Sequence, residues 1–96
     1  MSRAAVLRQN YPNPFNPSTT IEYRLHEGAK IILKVHDLRA REVRTLVDRD
    51  QSVGAKNVVW DGRDNAGRSV GSRVYVYRLR TGDAGTAESR KMLLVR

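Results

Sequence analysis

Arg73-Val74-Tyr75-Val76-Tyr77-Arg78-Leu79-Arg80 is the stretch that decides the fold. It alternates with a period of two: Tyr75, Tyr77 and Leu79 share one face, and Arg78 and Arg80 fall on the other. Period two marks a half-buried strand, and aromatic and β-branched side chains suit a pleated surface. Upstream lies Asp61-Gly62-Arg63-Asp64-Asn65-Ala66-Gly67-Arg68, dense in turn formers and read as a hairpin-like loop. Before it, Lys56–Trp60 is a strand with Val58 and Trp60 on one face, preceded by a loop over residues 51–55. Glu42–Val47 reads as a short or bulged strand, because Leu46 breaks the alternation begun by Val43.

Further back, Lys30–Asp37 turns Ile31, Leu33 and Val35 inward and leaves Ile32 outside with Lys30, Lys34 and His36. Leu38–Arg41 is a tight connection. Thr19–Leu25 alternates strictly, with Ile21, Tyr23 and Leu25 on one face, and Glu27-Gly28 turns the chain. Downstream, Thr81–Gly85 turns and Ser89–Arg96 is a last strand. No stretch carries a helical repeat of ten residues. Six or seven short strands separated by turn signals predict an all-β sandwich. Its expected core is Tyr23, Leu33, Val35, Val58, Trp60, Tyr75, Tyr77 and Leu79, with Trp60, the only tryptophan, as the central plug. Residues 1–8 carry no pattern and read as a flexible linker, so the expected domain is 9–96.

Ninety-six residues make one small domain with one core. No apolar run approaches the roughly 20 residues that cross a bilayer as a helix, and residues 1–8 lack the h-region of a secretory signal. There is no cysteine, so neither a disulfide nor a Cys-based metal site is available. The net charge of +8 is spread along the chain and interleaved with acids, as on a solvated surface.

Catalytic constellations are poorly supported. Ser18, Ser52, Ser69, Ser72 and Ser89 sit in no nucleophile-elbow pattern. His36 and Asp37 are neighbours on a strand and point to opposite faces, so they form no dyad. Asp61, Asp64 and Asn65 offer hard oxygens, but their spacing is not that of a calcium loop and they read as turn formers. Nucleic-acid binding wants aromatics exposed in a basic groove, whereas Tyr75 and Tyr77 share a face with Leu79. No catalytic residue, metal, cofactor or nucleic-acid partner is expected.

Gln9-Asn10-Tyr11-Pro12-Asn13-Pro14-Phe15-Asn16-Pro17-Ser18-Thr19-Thr20-Ile21 holds all three prolines. Proline fixes φ and lacks an N–H, and it pushes the preceding Asn toward extended geometry. The segment reads as an extended, kinked lead-in with two aromatic anchors, Tyr11 and Phe15. It closely resembles the start of the type A C-terminal sorting domains of type IX (Por) secretion, which are similar to the immunoglobulin-like domain of the flagellar hook-capping protein. Further blocks carry the resemblance in order: Val35–Leu38 with Arg41–Val43, Val58–Asp64, Val74–Leu79 and Lys91–Arg96.

The resemblance implies an immunoglobulin-like antiparallel β-sandwich of about seven short strands. It implies a non-enzymatic C-terminal signal that directs an upstream passenger through the outer membrane. The partners would be the type IX translocon and a sortase-like protease, and the destination the medium or cell surface by way of the periplasm, with the signal peptide upstream of this chain. The alternative is a structural or self-assembling module of the hook-cap kind, with self-association through sheet edges. Carried over, the expected partner-recognition residues are Pro12, Asn13, Pro14, Gly82 and the last strand, Lys91, Met92, Leu93, Leu94, Val95 and Arg96. That strand is expected to present free backbone groups to a receptor. Two departures from the family stand at Ala40 and Arg73, where glycine is usual. If the turn at Ala40 needs a positive φ, Ala40 is strained.

Overall fold

The computed structural model describes residues 5–82 and 86–96. Among them run seven strands: β1 (Ala5–Leu7), β2 (Thr19–Leu25), β3 (Ala29–His36), β4 (Glu42–Gln51), β5 (Gly54–Trp60), β6 (Arg73–Thr81) and β7 (Thr86–Leu94). They form two antiparallel sheets, ordered β1-β2-β5 and β4-β3-β6-β7. This is an immunoglobulin-like sandwich. The period-two alternation explains it. Ile21, Tyr23 and Leu25 of the first sheet face Ile31, Leu33, Val35, Tyr75, Tyr77 and Leu79 of the second, and all are buried. Trp60 is fully buried between them, while Val58 is half-buried against the core.

The structure differs from the sequence reading in four places. The last strand, expected over Ser89–Arg96, runs Thr86–Leu94. Ala5–Leu7 is a strand paired with Tyr23–Leu25, and Leu7 is buried, so the sheet begins before Gln9. β4 is bulged but long, running to Gln51. Register shifts between Leu33 and Lys34 and between Val35 and His36 leave Leu46 and Val43 as the extra residues. β5 starts at Gly54, inside the expected loop. The expected turn at 81–85 is described only to Gly82, whose N–H donates to the Lys30 carbonyl; Asp83, Ala84 and Gly85 lie outside the described residues.

The β3–β4 turn is built around Asp37. Its Oδ1 accepts the N–H groups of Arg39 (2.9 Å) and Arg41 (3.0 Å), and its Oδ2 accepts Arg41 Nε (2.9 Å). The Arg41 backbone bond above all, then the Arg41 side chain and the Arg39 N–H, hold the Asp37 carboxyl below the usual carboxylate range. The turn puts Ala40 at φ 65°, in the left-handed region where a Cβ crowds the next carbonyl. Ala40→Gly removes that strain at the expense of a more flexible unfolded chain. The net expectation is a stabilisation of about 0.5–1 kcal/mol. Thermal melting checks it: a melting point raised by a few degrees is expected, and a lower one would show an unstrained turn.

Candidate recognition site along the last strand

Proline has no N–H and cannot continue a ladder, yet residues 9–15 pair along β7. Alternate residues of an antiparallel edge strand turn their backbone groups outward. Leu93 is one of them. Its N–H donates to Asn13 Oδ1 (2.9 Å), and its carbonyl accepts the Phe15 N–H (3.0 Å). The Val95 N–H donates to the Phe15 carbonyl (3.0 Å), and Phe15 and Leu94 form a parallel bridge. Gln9 Nε2 donates to the Lys91 carbonyl (2.8 Å), and Arg90 Nε to the Leu7 carbonyl (3.0 Å). The free edge expected over Lys91–Arg96 is therefore corrected: the proline segment already bonds it at Lys91, Leu93 and Val95.

Of the expected recognition residues, Met92 and Leu94 are buried core side chains. Lys91, Leu93, Val95 and Arg96 are exposed, as are Pro12, Asn13, Pro14 and Gly82. Gly82 sits at the far end of β6, away from the others, which the fold gathers on one side. Arg96 is tied down, its Nε to the Val70 carbonyl (2.6 Å) and its Nη2 to the Gly62 carbonyl (2.7 Å). Gly62 has φ 73°, and a Cβ there would meet Arg96 Nη2 at 2.7 Å and the Pro17 carbonyl oxygen at 2.9 Å.

Phe15 behaves as the expected anchor. It is buried, 5.7 Å from Trp60 between ring centroids, and Trp60 meets Tyr75 edge-on at 5.2 Å. Tyr11 does not; its side chain is 80% exposed, and only its backbone pairs, with Thr20. The anchor the sequence reading missed is Asn10, 3% exposed. Its N–H donates to Tyr77 Oη (2.8 Å), which donates onward to the Arg8 carbonyl (2.7 Å). Asn10 Nδ2 donates to Thr19 Oγ1 (3.0 Å). The sequence signal was an amide between two extended polar residues, which nothing local distinguishes from linker.

Three other edges remain. On β1, the Leu7 N–H donates to Glu88 Oε2 (2.8 Å) and its carbonyl accepts Arg90 Nε. On β4, Asn65 of the turn loop covers the bulged half, its N–H on the Val43 carbonyl and its Oδ1 accepting the Thr45 N–H (both 2.9 Å). Asp64 Oδ1 accepts the N–H groups of Ala66 and Arg68, so Asp64 serves the loop as a turn former while Asn65 serves β4. On β5, no described strand pairs with the edge away from β2, and Val59 beside it is 58% exposed.

The model of the FlgD Ig-like domain matches residues 16–85. Among curated proteins no sequence matches significantly. Among solved structures, the chain is similar to dimeric latent PorU from Porphyromonas gingivalis, with a TM-score of 0.77 and 21% identity over 95% of this chain and 9% of that one. It is also similar to PorZ of the same organism, described as an essential bacterial surface component of the type-IX secretion system. That match has a TM-score of 0.63 and 20% identity over 92% of this chain and 11% of that one. The chain thus spans about a tenth of each structure it resembles. At these identities the likeness concerns the fold, and the family match extends over most of the sandwich: this chain belongs to the FlgD Ig-like domain family.

Proposed function

We propose that this domain is a non-enzymatic sorting module that directs an attached passenger through the outer membrane by type IX secretion, to the medium or cell surface. The observation that carries the reading is the likeness of nearly the whole chain to a small part of PorZ, a type-IX component, and of PorU. A domain-sized module carried in larger chains suits an address label, and a passenger would join ahead of β1, which leads into the proline segment. The zipping of that segment onto β7 supports a further point. A receptor reads the side chains of this seam rather than adding a strand to β7. The uncovered β5 edge favours a second reading, assembly through edge pairing, in which copies associate and nothing is exported.

The test fuses all 96 residues behind a signal peptide and a reporter in a bacterium with a type IX system, beside a strain lacking the translocon. Delivery to the surface or medium in the first strain only is expected. Periplasmic retention of a folded, protease-resistant fusion in both strains would overturn the sorting reading. Concentration-dependent sedimentation would then support assembly.

A further inference from the structure

On the outer face of the four-stranded sheet the charges are sorted by strand. The acids lie on β4 and neutralise the lysines of β3: Lys30 pairs with Asp48 (3.6 Å) and Lys34 with Glu42 (2.8 Å). The next strands have no such compensation. Arg78 and Arg80 of β6 and the side chain of Lys91 of β7 make no ion pair or hydrogen bond among the described residues. The register places Arg78 directly between Lys34 and Ser89, and Lys91 beside Val76. Like charges opposite one another on a sheet face are unfavourable, and Arg78, opposite Lys34 whose carboxylate partner is Glu42, has no counter-charge of its own among the described residues.

The face is also shaped. Two adjoining depressions of about 240 and 150 Å³ share His36 and Arg78. Together they run from Leu38 past Val76 to Ile32 and Arg80, with Ile32 and Val76 half-buried. His36 Nδ1 is buried in this floor with no hydrogen-bond partner. Arg78 and Arg80 stand two residues apart on one strand, about 6.7 Å, the repeat at which an extended peptide presents every second side chain. Carboxylates at that repeat meet both guanidiniums, and apolar side chains beside them cover Ile32 and Val76. A nucleic acid or a lipid headgroup would satisfy the charge alone.

We infer that this outer face, centred on Arg78 and Arg80, docks an extended acidic peptide segment of a partner protein. The inference rests on the face itself. If the sorting reading holds, this is a surface the export machinery reads; if that reading fails, the peptide site stands.

The test measures binding of a fluorescein-labelled peptide of about ten residues alternating Glu with Val, at low salt, to the intact domain. Arg78→Glu with Arg80→Glu is expected to weaken it about tenfold or more. Arg8→Glu with Arg24→Glu, the same change of net charge on the opposite sheet, is expected to change it less than about twofold. Should the reversed pair fail to fold, Arg78→Gln with Arg80→Gln, set against Arg8→Gln with Arg24→Gln, gives the same comparison. Equal losses in both pairs, no binding of the peptide, or tighter binding to a thymidine oligonucleotide or to phosphatidylglycerol vesicles would overturn the inference.

Discussion

Trp60→Ala lowers stability by about 3–5 kcal/mol, the usual cost of removing a buried aromatic from a packed core. A domain of this size holds about 5–15 kcal/mol in all, and no disulfide backs it up. Trp60 is fully buried and touches both Phe15 of the proline segment and Tyr75 of β6. The loss therefore loosens the seam as well as the core. Its Nε1 donates to the Arg63 carbonyl (3.0 Å), which also accepts from Arg44 Nη1, so Trp60→Phe keeps most of the packing and loses one hydrogen bond. Urea unfolding separates the two: a large fall in midpoint at unchanged slope for alanine, a smaller one for phenylalanine. A loss below about 1 kcal/mol for alanine would mean the site collapses around the cavity and Trp60 is not the plug.

Tyr77→Phe is expected to cost about 1–3 kcal/mol although it removes a single oxygen. The hydroxyl accepts from Asn10 and donates to Arg8 O, and Asn10 has no access to water that could replace it. The phenylalanine variant leaves a buried N–H unpaired, which costs more than the bond was worth. Hydrogen exchange localises the effect, with the Asn10 amide losing protection ahead of the β3 amides; uniform loss would place the damage in the core instead. Alkali acts on the same group. Burial raises the Tyr77 hydroxyl above its ordinary pKa of 10.0, and likewise Tyr23 and Tyr75. A raised folded pKa favours the protonated, folded form. That contribution is intact below about pH 10 and is lost as the pH climbs through the folded values.

The sandwich was legible because β2, β3 and β6 each alternate, with three consecutive inward positions of each held by buried Ile, Leu, Val or Tyr. β1 was not, since Ala5-Val6-Leu7 is too short to show any period. β4 hid its length because its two bulges interrupt the alternation, and Asp48-Arg49-Asp50, near its end, is polar on both faces. The strain at Ala40 was visible only as a missing glycine, and φ 65° confirms it. The seam between the proline segment and β7 was the hardest part. Asn13, Gln9 and Asn10 hold it by side-chain bonds to residues up to 82 positions away, and such bonds leave no periodic trace. Reading β7 as an open edge followed from its place at the end of the chain and left the proline segment without a partner. Here Asn13 lends the acceptor through its side chain, and Phe15 pairs where a proline could not.

The parallel run of residues 9–15 beside β7 has a mechanical meaning. Tension applied between the two ends of the domain pulls these segments in opposite directions along their common axis. The bonds at Lys91, Leu93 and Val95 are then loaded together in shear, and none can be peeled ahead of the rest. Resistance to such a pull is set by the barrier to unfolding rather than by equilibrium stability. A pull on the N-terminal end would load β1 and this short clamp before it reached the tryptophan core.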